Sequence, residues 1–310
     1  MPTESELLFD RLSKKAEAIS DAIDERQRVI DSDLTRLEKE LFSRLQADLF
    51  GELEFDNGRL KTSPKNILLL LRIDQAFNRW LREFQNVVVR DFATDLLRIA
   101  ALTGEMYKPG NPEKIVNQIA SDNATLRAAI GIDEKGRVIP GSILYDISTV
   151  GQVRQDIKKV ILQAINRQQT LRDFSTALRN FITGTPNTAG RLKSYWRTYA
   201  YDLFNQATEI KNEQFRRGLD LEWFIYTGSI IKDSREFCIK KAGKVFAVIE
   251  ADREWPKDPD LIGKKTGIPY VPRIDRGRWN CRHRIRYITE ETAKQLDPKK
   301  VEAIKKKYGG

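Results

Sequence analysis

The first fifty residues constrain the fold more than any other part of the chain. Ala16, Ile23, Ile30 and Leu37 stand seven apart, and Leu12, Ile19, Leu34, Leu41 and Leu45 fill the same side, with charged residues elsewhere. A stripe of that period predicts one long helix over residues 5–49. Two arrangements bury such a stripe: a coiled coil with a second copy, or the core-facing side of a bundle within one chain. Arg26 and Asp33 stand where a good coiled coil is apolar, which favours the bundle.

The helical pattern continues. Asn57-Gly58 marks a hairpin turn, because both central residues of a type I′ turn need positive φ. Ser63-Pro64 then marks a helix start, with Ser63 as N-cap and Pro64 at the first helical position. That helix carries Leu68, Leu71, Ile73, Phe77, Trp80, Phe84, Val88, Phe92, Leu96 and Ile99 to about Met106. Shorter helices are predicted at 112–120, 124–130, 149–167 and 171–182, the last capped by Thr170. "IDEKGRVI" resembles a second hairpin, and "TGTPNTAG" (183–190) is the clearest flexible joint. A helix over 191–217, with Leu192, Trp196, Tyr199, Leu203, Ala207 and Ile210 on one face, stops at Gly218.

Beyond Gly218 the period changes. "LEWFIYTGSII" is rich in aromatic and branched residues on both faces, as a buried strand requires. A Gly243 turn leads to a second strand over Lys244–Ile249. In "GRWNCRHRIRYI", period-two reading puts Trp279, Cys281, His283, Ile285 and Tyr287 on one face. Arg282, Arg284 and Arg286 take the other, with Arg276 and Arg278 in phase before them. The first face is predicted buried and the arginines exposed. The expected fold is therefore mainly α: a long helical N-terminal region, then a small α+β domain with a short antiparallel sheet. The expected divisions are 1–108, 109–189 with a linker at 183–190, and 190–310 with a short basic tail.

Charge is unevenly placed along the 310 residues. Residues 211–310 hold 24 Lys+Arg and 15 Asp+Glu, nearly the whole of the net +10. A basic domain of this kind fits a polyanionic partner. The five arginines and Lys305, Lys306 and Lys307 are the candidate contacts to double-stranded DNA, through phosphates and without base reading. The competing reading is an edge strand protected by charge. The longest apolar run, Ile67–Leu71, is far short of the roughly twenty residues of a membrane span. The first residues read as no secretory leader. Two cysteines argue against a disulfide scaffold and for a reducing compartment.

Asp233, Arg235, Cys238, Gly243, Lys244, Phe246, Gly277, Asn280, Cys281, Arg282 and His283 follow in the order D-x-R-x-x-C, G-K-x-hydrophobic, then C-R-H. This order resembles the core pattern of the phage Mu F-like head morphogenesis (minor head) proteins over about residues 190–290. Members ending in C-R-C usually carry His-Pro just before it, where this chain has Trp279-Asn280. The resemblance implies a minor head protein inside the capsid, near the portal and the packaged DNA. Such a protein is assembled in host cytoplasm and carried in the virion, aiding head assembly or genome delivery by binding rather than turnover. The implied partners are the portal or other capsid proteins and DNA. The N-terminal helices offer a route to self-association.

Cys238, Cys281 and His283 are the only cysteines and histidine. Zinc is the sharp hypothesis for them, although a structural site normally takes four ligands and often a C-x2-4-C pair. The plainer one is two buried thiols beside a hydrogen-bonded histidine, with no cofactor. Cys-His catalysis is awkward, because residues i and i+2 of a strand lie ~6.5 Å apart at Cα. No enzymatic activity is expected. The rival functions are a metal-dependent nuclease or other effector delivered with the genome, and a cytoplasmic nucleic-acid binder.

Overall fold

The computed structural model describes residues 4–109, 111–262, 269–278 and 281–309, without the side chains of 4–13 and 16. The expectations for the Leu12 and Ala16 side chains, and for Trp279 and Asn280, lie outside the described residues. The chain is 70% helical, with small antiparallel sheets.

Helix α1 (Glu4–Leu49) is followed by the hairpin β1 (Phe55–Asp56) and β2 (Arg59–Leu60). Asn57 and Gly58 both have positive φ at its turn, 48° and 74°. Helix α2 (Pro64–Phe84) starts where Ser63 Oγ accepts from the Asn66 amide at 3.3 Å. One π turn, Gln85–Val89, joins it to α3 (Arg90–Ala101). Then come α4 (Glu113–Ser121), α5 (Ala124–Ile130), α6 (Ile143–Thr149), α7 (Gly151–Asn166) and α8 (Leu171–Thr183). Val150, at φ 41°, separates α6 from α7. "IDEKGRVI" closes through a single antiparallel bridge, Ile132 to Val138.

The joint expected at 183–190 is instead a closed hairpin, β3 (Gly184–Thr185) with β4 (Thr188–Ala189). Gly184 takes φ 78° there, and a Cβ on it would lie 2.3 Å from the Thr188 carbonyl oxygen. Helix α9 (Arg191–Gly218) leads to β5 (Trp223–Thr227), α10 (Glu236–Lys241), β6 (Val245–Ala247) and α11 (Val248–Glu254). After α12 (Pro272–Asp275) and β7 (Arg284–Ile288), the expected basic tail folds into α13 (Glu290–Leu296) and α14 (Pro298–Tyr308).

Two compact units result, each assembled from separated segments. The first takes Met1–Glu25, Leu96–Leu126 and Tyr201–Gly310; the second takes Arg26–Asp95 and Arg127–Ala200. The three consecutive divisions expected from sequence differ from these, because the boundaries fall inside α1, α3, α5 and α9, where no turn signal marks them.

In the second unit the α1 stripe is covered by the chain itself: Ile30, Leu34, Leu37, Leu41 and Leu45 are all buried. Trp80 Nε1 donates to the Leu37 carbonyl at 3.0 Å, tying α2 to α1. Glu38, 1% exposed, serves α9 as an external cap, its carboxylate accepting from the Lys193 amide at 2.8 Å. Burial pushes its pKa up from 4.5 to about 7, against the pull of the Lys193 and Leu192 amides.

A raised folded-state pKa means that the folded chain holds this proton more tightly than the unfolded chain does. The stability it contributes is therefore complete below about pH 4.5 and is lost as pH rises through about 7. Glu38→Gln, which keeps the acceptor oxygen, is expected to flatten that dependence. Urea unfolding should show the variant gaining about 2–3 kcal/mol on wild type between pH 5 and pH 8. Parallel pH profiles would refute the assignment.

In the first unit the sheet order is β6-β5-β7, all antiparallel, with Phe224 opposite Tyr287 and Phe246. One face packs Trp223, Ile225, Val245, Ala247 and Ile288 against Ala293, Val301 and Ile304 of α13 and α14. The other carries Phe224, Tyr226 and Phe246, all edge-on to Trp255 at 5.4–5.6 Å.

Candidate metal centre

The sheet brings together what the sequence holds 43 positions apart. Cys238 lies in α10 and Cys281 lies in the extended approach to β7, yet their Sγ atoms are 3.8 Å apart. Both are free and buried. His283, 3% exposed, offers a ring nitrogen to the same group: the three ligand atoms lie within 4.8 Å of one another. Cys281 and His283 lie just before β7, and their ligand atoms come within 4.8 Å of each other. Cys238, Cys281 and His283 thus form a buried group that can hold a metal ion.

Tyr226 completes the surroundings. Its hydroxyl is 3.4 Å from Cys238 Sγ and 3.3 Å from Cys281 Sγ. Its ring stacks on His283, 5.2 Å between centroids and 1° from parallel. The Nε2 atom of His283 is buried without a hydrogen-bond partner. Hydrogen bonding with Cys281 and burial push the Cys238 thiol up, while the bond from Cys238, opposed by burial, and contact with His283 and Arg276 hold Cys281 well below the usual thiol value. If the pair carries one negative charge, it sits on Cys281.

The other residues of the ordered motif stand around this group. Arg235 donates from Nη1 to the Gly277 carbonyl at 2.8 Å. A Cβ on Gly277 would lie 2.5 Å from Cys238 Sγ and 3.1 Å from Cys281 Sγ, so the bare backbone forms the wall of the group. Gly243, at φ 76°, makes the turn into β6, and its amide donates to the Tyr226 carbonyl at 2.8 Å. Asp233 and Lys244 are exposed.

The arginines are the main correction. Arg276, Arg284 and Arg286 are 3%, 1% and 2% exposed, so the solvent-facing ladder does not exist; only Arg282 is exposed, with Arg278 half-buried. The reason is α9. It covers the open edge of β7, where Asn212 Nδ2 donates to the Ile285 carbonyl at 2.7 Å. Arg284 reaches Thr208 Oγ1 at 2.8 Å and Asn205 Oδ1 at 3.1 Å. Arg276 Nη1 meets Glu209 Oε1 at 2.9 Å and the His283 carbonyl at 2.8 Å. Burial lowers Arg284 and Arg286 to about 10, which leaves both charged at neutral pH. Lys305, Lys306 and Lys307 are exposed on α14, with Lys305 beside Glu290 at 2.6 Å and Lys307 beside Glu254 at 2.5 Å.

Sequence reasoning passed over Tyr226 and Glu209. Tyr226 gave its signal in "YTGS", the strand end that precedes the D-x-R-x-x-C run. Glu209 belongs to a polar row, Asn205, Thr208, Glu209, Asn212 and Glu213, at helical spacing on α9. Comparisons of the chain with protein-family models, with curated proteins and with solved structures return no match. Among the described residues no helix is long and apolar enough to cross a membrane.

Proposed function

We propose that this chain is a minor head protein of a tailed phage, of the Mu F-like kind, held inside the capsid near the portal and the packaged DNA. One observation carries the reading. Residues that the family pattern orders along the chain meet in space: Cys238, Gly277, Cys281 and His283 form one buried group, and the half-buried Arg235 bonds to its Gly277 carbonyl. An ordered motif that encodes a shared structural core behaves in this way. The metal-capable group enters as a structural zinc centre, not a catalytic one. The single histidine is buried and stacked on Tyr226 rather than lining a cleft, which favours binding over a delivered nuclease.

DNA contact in this reading falls to the residues that reach solvent: Arg282, Lys305, Lys306 and Lys307. Four phosphate contacts predict a slope of about -3.6 in log K against log[salt], without sequence preference. The deciding experiment is quantitative mass spectrometry of purified particles, intact and after DNA ejection. A few copies per particle, lost with the DNA, agree with an internal protein that leaves with the genome; copies that stay place it at the portal or shell. Absence from particles would overturn the proposal and leave the cytoplasmic binder.

A further inference from the structure

The buried group holds more than three donors. Cys238 Sγ, Cys281 Sγ and Tyr226 Oη form a triangle with sides of 3.8, 3.4 and 3.3 Å. His283 supplies the fourth corner, within 4.8 Å of both sulfurs. Tetrahedral zinc with bonds of about 2.3 Å to sulfur and about 2.0 Å to nitrogen or oxygen sets sulfur–sulfur edges near ~3.8 Å and mixed edges near ~3.5 Å. The sulfur pair already has the spacing of two thiolates on one zinc ion, and the phenol oxygen sits within a few tenths of an ångström of the edge it would need.

As neutral groups these four satisfy one another poorly. Sulfur is a weak acceptor and a weak donor. A buried tyrosine hydroxyl ordinarily finds an oxygen or nitrogen partner, whereas the contacts of Tyr226 Oη here are the two sulfurs. His283 Nε2 is buried without a partner. The surroundings are closed as well: Gly277 walls the sulfurs with backbone, and Arg235 fixes that backbone through the Gly277 carbonyl. Phe237 and Trp255 pack edge-on against the Tyr226 ring.

We infer that Tyr226 is the fourth ligand of a closed zinc site formed with Cys238, Cys281 and His283, which pins α10 to the segment that enters β7. This inference rests on the zinc reading of the group and not on the phage assignment. It also gives the motif a physical content: two thiolates, an imidazole, a glycine without which the sulfurs have no room, and an arginine that holds the glycine.

The test uses the full chain, purified under reducing conditions, with zinc and cobalt(II) as probes. One metal per chain, with thiolate-to-cobalt charge transfer and tetrahedral ligand-field bands, is the expected result for wild type. Cys238→Ser and Cys281→Ser should each abolish it, and Gly277→Ala should lower affinity by at least about tenfold. Because ligands lose protons on binding, zinc should release one proton more from wild type than from Tyr226→Phe, with a tyrosinate difference band that the variant lacks.

Wild type that takes up no metal, or whose purified chain already carries a Cys238–Cys281 disulfide, would overturn the zinc site altogether. Metal uptake with equal proton release and no tyrosinate band in wild type would overturn Tyr226 as ligand while leaving the other three. The wild-type cobalt spectrum needs no variant to fold, so poorly folding variants do not protect the inference.

Discussion

Glu209→Gln should cost the first unit about 3–5 kcal/mol, enough to unfold many domains. Glu209 is 2% exposed and is the acidic group that Arg276, Arg284 and Arg286 share. It lies 2.9 Å from Arg276 and 3.8 Å from Arg284. Burial works against the charge of Arg276, and the Glu209 carboxylate outweighs it, holding the pKa above the usual arginine value. Glutamine keeps the size of the side chain but offers one acceptor oxygen where the carboxylate offers two, to Arg276 and to Asn212, so the variant removes the charge and also sets an amide N–H against one of these donors. Arg284 and Arg286 then lose the buried acidic group they share, and Arg276 keeps the pull of Cys281 beside it.

Removing one cation as well, in Glu209→Gln with Arg284→Met, should recover part of that loss, since hydrophobic replacement of buried ionic groups is often neutral or better. Urea unfolding of the full chain reads both. A loss below about 1 kcal/mol for the single variant would mean that water reaches the guanidiniums and that their burial is not the controlling term.

The same arginines show where sequence reading stops. Period two correctly separates Cys281 and His283 from Arg282, because alternation is a property of extended backbone alone. What covers a face is set by another element, and nothing in "RHRIRYI" says that α9 will lie along its edge. The row from Asn205 to Glu213 held the complementary half of that information, but a polar row on a helix reads by default as a solvated face. The meeting of Cys238 with Cys281 was legible only as a possibility, since spacing along a chain does not fix distance across a fold.

Local rules did better wherever the cause was local. The Asn57-Gly58 turn, the Ser63 and Thr170 caps and the length of α1 all depend on residues within a few positions of one another. Proline and glycine misled at 183–190. They signal a turn, and whether the turn is loose or closed depends on cross-strand partners: Thr185 and Thr188 share a hydroxyl contact of 2.7 Å across this one. Val150 misled in the opposite sense. A β-branched residue in the left-handed region between two helices has no sequence signal, because its conformation is held by its neighbours.

Trp196→Ala should be the most damaging change in the second unit, at about 4–5 kcal/mol. Its ring is fully buried and stands edge-on to Phe84 at 5.3 Å and to Phe92 at 5.2 Å, while Phe84 stacks on Trp80 at 5.4 Å. The π turn at Gln85–Val89 makes the double contact possible. It acts as one inserted residue, so Phe84 and Phe92 take the azimuth of positions about seven apart, nearly two full turns, and share a face. Alanine removes both aromatic pairs and leaves a cavity in a packed helical core, where relaxation is limited. Phenylalanine keeps much of the apolar volume and deletes an indole N–H that is buried without a partner. Trp196→Phe should therefore cost only about 1 kcal/mol. Urea unfolding of wild type and the two variants at one pH checks the ordering. A loss below about 2 kcal/mol for alanine would show that α2, α3 and α9 close over the gap, and that this aromatic row fills space without fixing the packing of the unit.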